Sequence, residues 1–120
     1  MNIIRYLLDE NVAHAVRNRL LFYEPDMIVL CIGDETAPVL GTPDPLILDW
    51  IESNGYMLVS RNRRTIPVHL QEHIIQGKEI PGIFLIRSKA TIAQIIDDLL
   101  MIWQASEADE YRNQIRYLPF

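Results

Sequence analysis

Apolar residues come along this chain in short continuous runs, separated by longer stretches in which they recur every three or four positions. The runs are Ile3 to Leu8, Met27 to Ile32, Tyr56 to Val59 and Ile83 to Ile86, with Arg5 interrupting the first. Strands buried on both faces read this way, uninterrupted rather than alternating. The stretches between them carry helical spacing. Val12 to Phe22 puts Val12, Val16 and Leu20 on one face and Arg17, Asn18 and Arg19 away from it. A second helix starts at Thr42-Pro43-Asp44-Pro45, where proline suits the first turn and Thr42 or Asp44 can cap. It runs to about Asn54 with Leu46, Ile47, Trp50 and Ile51 inward, and Asn54-Gly55 stops it. Ile66 to Gln76 is a third, moderately amphipathic helix, closed by Gly77. Thr91 to Gln104 is the most regular, with Ile92, Ile95, Ile96, Leu99, Leu100 and Trp103 in one stripe and Asp97 and Asp98 facing out. Residues 105–113 are polar and either extend this helix or link it to Ile115–Leu118, a short edge strand ended by Pro119.

Strand and helix alternating four times predict a parallel sheet with helices on both faces. The expected fold is a three-layer α/β/α domain over residues 1–120 with a mostly parallel sheet of four to five strands. Right-handed crossovers favour the strand order 2-1-3-4, with the switch point between the first and third strands. Open sheets of this kind bind ligands beyond the carboxyl ends of their strands, at such a switch point. The first run ends in Asp9-Glu10-Asn11 and the third in Ser60-Arg61-Asn62-Arg63-Arg64-Thr65. Both polar ends should therefore flank one crevice, with Asp44 leaning over it from a helix start. The bland reading is that Asp9, Asn11 and Asp44 cap helices and Asn62 makes a turn. Gly33 to Pro43 has no period, and a loop of this length in a small domain is often functional.

Bulk properties narrow the choices. The net charge of −5 argues against coating nucleic acid by general attraction. The charge is uneven: residues 1–60 carry −6 and residues 61–120 carry +1, with Arg61, Arg63 and Arg64 clustered. Those three suit a phosphate backbone held beside an acidic pocket, or simply make a solvated loop. Cys31 is the single cysteine, so a disulfide framework and a cysteine zinc site are out. No membrane span or signal peptide is expected, and the setting that fits is the cytoplasm. Carboxylates converging in a cleft suit Mg²⁺ or Mn²⁺, which activates water and stabilises charge on a phosphoryl group. His69 and His73 share a helix face at i,i+4, but without the glutamate of a zincin motif they read as partly exposed histidines.

The ordered set Leu7-Leu8-Asp9-Glu10-Asn11, Gly41-Thr42-Pro43-Asp44-Pro45, Gly55 to Asn62, Pro81-Gly82-Ile83 and Ile86-Arg87 resembles a PIN-like family of uncharacterised bacterial proteins. That family is related to the PIN-domain nucleases found as toxins in toxin–antitoxin pairs. The resemblance implies a Mg²⁺- or Mn²⁺-dependent ribonuclease. Asp9, Asp44 and Asn62 would be its catalytic positions, with Asp9 and Asp44 as metal ligands; Glu10 beside them is a further ligand or simply the first acid of the helix. Arg61, Arg63 and Arg64 would contact RNA. It also implies an antitoxin-like protein partner; a homodimer through the strand near the chain end is left open. The third acid departs from the pattern. Where Leu-Val-Thr-Arg-Asp is expected, the chain has Leu58-Val59-Ser60-Arg61-Asn62. Asparagine offers a neutral oxygen but neither charge nor a general base, so a non-catalytic module that binds RNA or a protein is the alternative. Asp34 and Glu35 are candidates for the family's additional acid. A phosphorylation-dependent receiver also places acids after its first strand, but needs an aspartate after the third, where this chain has Ser60, Arg61 and Asn62.

Overall fold

The computed structural model describes residues 3–120. Five strands form one sheet in the order β2-β1-β3-β4-β5. They are β1 (Arg5–Leu8), β2 (Ile28–Cys31), β3 (Met57–Ser60), β4 (Ile83–Ile86) and β5 (Ile115–Leu118). Every pairing is parallel: Leu7 lies opposite Leu30 on one side and Leu58 on the other, and β5 joins β4 with Ile83 opposite Ile115. The helices are α1 (His14–Tyr23), α2 (Asp44–Asn54), α3 (Ile66–Ile75) and α4 (Ile92–Ala105). Of residues 105–113, Ala105 extends α4 and the rest link it to β5 through a 3-10 turn, Ala108–Tyr111.

Successive strand side chains point to opposite faces, which divides the core in two. Tyr6, Leu8, Val59 and Phe84 pack on α1 and α4 through Val16, Leu20, Ile95 and Leu99. Leu7, Leu58, Ile83 and Leu85 pack on α2 and α3 through Ile47, Leu48, Ile51, Ile66 and Leu70. Helices therefore cover both faces, giving the three-layer α/β/α arrangement. No helix among the described residues is long and apolar enough to cross a membrane.

Some local expectations fail for physical reasons. Leu46 is exposed while Leu48 is fully buried, because α2 turns its Ile47-Leu48-Ile51 face to the sheet. Ile102, outside the expected α4 stripe, is buried too. The capping readings fail at α1 and α2. Their N-cap residues are Ala13 and Pro43, and no side chain caps either helix. Thr42 instead donates to the Val39 carbonyl. A genuine capping box sits at α4, where Thr91 and Gln94 bond each other's backbone. Asp9, Asn11 and Asp44 are thus free of helix-capping duty.

Candidate functional site

β1 and β3 are neighbours, so their carboxyl ends open onto one crevice at the point where the strand order reverses. Asp9 leaves β1 at this point, and its backbone N–H still bonds the Val59 carbonyl, which pins it against β3. Its side chain is buried, at 8% exposure. Ser60, the last residue of β3, is fully buried and donates to Asp9 Oδ2 at 2.7 Å. Asp9 Oδ1 accepts from the Glu10 N–H at 2.8 Å. Ser60 Oγ in turn accepts from the Asn62 N–H at 3.0 Å, and Asn11 Oδ1 accepts from the Arg61 N–H at 3.0 Å. These bonds tie the two strand ends together around the Asp9 carboxylate.

Asp44, the first residue of α2, faces the same crevice across Asn62. Its Oδ2 accepts from Asn62 Nδ2 at 3.0 Å and from Thr65 Oγ1 at 3.3 Å. Asn62 Nδ2 also bonds Thr65 Oγ1 at 2.6 Å, so Asn62 and Thr65 brace each other as well as Asp44. His69 of α3 comes next, with Nε2 3.9 Å from Asp44 Oδ2. Its Nδ1 is buried and has no hydrogen-bond partner. Glu10 is exposed and accepts from the Gly41 N–H, fastening the irregular 33–43 loop to the crevice rim.

The electrostatics are those of an acidic cleft. Burial raises the Asp9 carboxyl above its ordinary value, against the Ser60 and Glu10 N–H bonds, and the charges of Asp44 and Glu10 push the same way. Arg61, Arg63 and Arg64 flank Asn62, and their guanidinium groups form no ion pair or hydrogen bond among the described residues. Asp34 is placed elsewhere: it accepts from Arg17 Nη1 at 2.6 Å and from the Cys31 N–H at 2.8 Å, a brace between α1 and the loop after β2. Glu35 is exposed and joins none of the crevice bonds.

A hard divalent cation fits this donor set on its chemistry. The Asp9 oxygens each have one donor and Asp44 Oδ1 has none, so lone pairs remain for an ion. The acids do not, however, gather as closely as the sequence suggested. Among the described residues the one trio of His, Cys or carboxylate ligand atoms within 4.8 Å is Asp49, Glu52 and His73, not Asp9, Glu10 and Asp44. An ion held by one or two carboxylates plus water matches the habits of Mg²⁺ and related ions.

The Asp49–Glu52–His73 trio is a clamp between α2 and α3. His73 is buried, not partly exposed as its i,i+4 spacing from His69 suggested, because α3 buries Ile66, Leu70 and His73 on one face. Its Nε2 meets Glu52 Oε1 at 2.8 Å and the Glu79 carbonyl at 3.1 Å. Both partners accept, so Nε2 carries the proton. Lys78 Nζ donates to Asp49 Oδ1 at 2.8 Å, supplying the positive charge next to the trio.

A cavity of about 650 Å³ lies at the opposite, amino ends of the strands, lined by Arg5, Gly55, Pro81 and Arg112 among others. It shares no residue with the crevice. Ser60 and Thr65 fall within the polar stretch read at the end of the third strand and His69 within the i,i+4 histidine pair, but nothing in the sequence assigned any of the three a role at the crevice. A serine directly after the apolar Met57–Val59 run was the available signal for the first. Compared with family models, curated proteins and solved structures, the chain finds no significant match in any of the three.

Proposed function

We propose that this chain is a Mg²⁺- or Mn²⁺-dependent ribonuclease of PIN-like type, acting in the cytoplasm. A toxin paired with an antitoxin-like protein is the setting that its resemblance implies. The observation that carries the reading is the pair Asp9 and Asp44. These carboxylates, from a strand end and a helix start, lie close enough for one charge to raise the other's pKa, and neither caps a helix. A divalent ion held there would activate water and stabilise the phosphoryl charge during hydrolysis.

The chain's own residues have separable roles in this reading. Ser60 and the Glu10 N–H fix the Asp9 carboxylate in orientation. Asn62 and Thr65 fix Asp44 through Oδ2 and leave Oδ1 toward ligand duty. Arg61, Arg63 and Arg64 hold phosphate oxygens of the RNA on either side of the scissile bond. Glu10 is a rim acid, exposed and bonded to Gly41, and contributes charge rather than close coordination.

A second reading has its own support. The Asn62 amide donates to Asp44, so an N–H group meets a carboxylate where a third acid would face it. That arrangement lowers the demand for a cation and suits a non-catalytic module that binds RNA or a protein. Calorimetric titration of Mn²⁺ separates the two. The ribonuclease reading expects saturable binding, weakened in Asp9→Asn by more than the roughly 10- to 100-fold typical of an outer partner, with RNA cleavage lost in parallel. Binding and cleavage that Asp9→Asn leaves intact would sink it.

A further inference from the structure

We propose that single-stranded RNA leaving the crevice runs along the carboxyl ends of β3, β4 and β5, where Arg87 holds a backbone phosphate and Tyr117 stacks an unpaired base. This rests on the reading that RNA is the ligand, and goes beyond it in naming a base subsite and the strand's course across the sheet. All strands are parallel, so their carboxyl ends share one end of the sheet, in the order β1-β3-β4-β5. β3 runs out into Arg61, Arg63 and Arg64, and β4 into Arg87 and Lys89. Those are five of the eleven Lys and Arg in an otherwise acidic chain. The segments that build these ends, 60–71, 80–96 and 111–120, contain no Asp or Glu. From β1 to β5 is three strand spacings, about 14 Å at roughly 4.8 Å each. That is about four stacked nucleotides at roughly 3.4 Å apiece.

The pair Arg87 and Tyr117 carries the assignment. Arg87 Nε donates to the Pro119 carbonyl at 2.9 Å, and its two terminal nitrogens have no partner among the described residues. That bond fixes the guanidinium while leaving its fork free for phosphate oxygens. The guanidinium carbon stands 5.4 Å from the centroid of the Tyr117 ring. Tyr117 is exposed, and its hydroxyl makes no hydrogen bond among the described residues. Leu85 and Ile115 pack on the α2 and α3 side of the sheet, while Ile86 and Leu118 pack on the other. Strand alternation therefore turns Arg87 and Tyr117 toward the side where α3 begins, just after Arg63 and Arg64. The neighbouring Arg116 shows what a purely structural arginine does here. Its Nε and Nη2 both donate to Gln114 Oε1, and it lies over the buried Tyr111 ring. An exposed ring braced by a cation, with a free phosphate fork beside it, suits an unpaired nucleotide, whose base stacks while its phosphate is held.

The test is fluorescence titration of the full chain with a single-stranded oligouridine of about eight nucleotides carrying one 2-aminopurine. EDTA is present, so neither metal nor cleavage enters. Expected is saturable binding with quenching of the 2-aminopurine. Tyr117→Leu should weaken binding about tenfold and abolish the quenching, whereas Tyr117→Phe keeps both. Arg87→Gln should lower the log–log salt slope by about 0.7. Melting curves check that the variants fold. Crosslinking of 4-thiouridine RNA to the natural chain needs no variant and should mark Arg87 or the 115–120 segment. Crosslinks confined to the 61–65 loop, or full affinity and quenching in Tyr117→Leu, overturn the subsite and leave the ribonuclease reading standing. The expected binding without any cleavage after Mn²⁺ is added upholds the subsite and sinks the ribonuclease reading. Absence of RNA binding removes both.

Discussion

Two acidic clusters with a histidine differ in how their charges are met: one clamps α2 to α3, and the other joins the end of β1 to the first turns of the same two helices. At the clamp, Asp49, Glu52 and His73 stand close enough to hold a metal. Yet Lys78 neutralises Asp49, and Glu52 accepts from both His73 and the Glu79 N–H. At the crevice, Asp9, Asp44 and His69 are further apart, but their charges lack a cationic partner at hydrogen-bonding distance. Asp9 is buried, and His69 keeps a buried nitrogen without a partner. Proximity of ligand atoms alone therefore does not assign a metal site. What separates the two is charge: Lys78 meets Asp49 at the clamp, whereas Asp9 and Asp44 have neutral donors and no cation at hydrogen-bonding distance.

The sharpest way to break this comparison is to remove the histidine from the clamp. His73→Ala deletes a buried ring and two hydrogen bonds linking α2, α3 and the loop before β4. The expected loss is about 2 kcal/mol, or roughly 8 °C in melting temperature, with Mn²⁺ affinity unchanged. A variant that melts normally but binds Mn²⁺ less tightly would exchange the roles of the two clusters.

The next effect in size belongs to Asn62. Asn62→Asp replaces an amide that donates to Asp44 with a like charge. Without metal the protein should lose stability, since two carboxylates would then face each other. With Mn²⁺ it should bind about tenfold more tightly than the natural chain, by calorimetry under the same buffer. If metal-dependent RNA cleavage appears only in this variant, the non-catalytic reading is the better account of the natural chain. A weaker effect is expected of Arg61→Ala, Arg63→Ala and Arg64→Ala combined. Three fewer phosphate contacts lower the salt dependence of RNA binding by roughly 2 in log–log slope, using about 0.7 per contact on a single strand. An unchanged slope would make the three a solvated loop.

The fold was legible because short apolar runs bounded by turn residues alternate with stretches of helical spacing, and right-handed crossovers leave little choice of order. The switch point between β1 and β3, which sets the ends carrying Asp9 and Asn62 side by side, followed from that order. Side-chain partnerships were less legible. The Ile66-Leu70-His73 spacing is a core stripe at i, i+4, i+7, so the burial of His73 was written in the pattern but masked by its pairing with His69. Its acid partners Asp49 and Glu52 sit on another helix, and nothing local announces them. Asp34 looked like a candidate ligand for want of any sign that Arg17, on α1, reaches it. Ser60 read as the start of a polar loop because a serine gives no hydrophobic signal, although it closes β3 fully buried. The missed partnerships of Asp34, Ser60 and His73 are hydrogen bonds between distant parts of the chain, which periodicity does not encode.

The smallest effect is also the one that sets the two clusters against each other in a single measurable quantity. Asp9 has a folded pKa raised above its unfolded value, chiefly by burial. Its protonated form is therefore the one that folding favours. The stability this contributes is complete below the ordinary carboxylate value of about 3.9 and is lost as pH rises through the raised folded value. At neutral pH without metal, the ionised Asp9 opposes folding. Asp9→Asn keeps an acceptor for the Glu10 N–H and removes the charge, so it should melt higher than the natural chain at pH 7. The gap should narrow as pH falls toward 4. His73→Ala should melt lower at the same neutral pH, since it removes a group whose partners are already in place. Thermal melts of both variants across pH, with a chelator present, read the two effects side by side. An Asp9→Asn variant that melts lower at pH 7 would mean that the crevice, like the clamp, is built for stability, and the contrast on which the functional assignment rests would be gone.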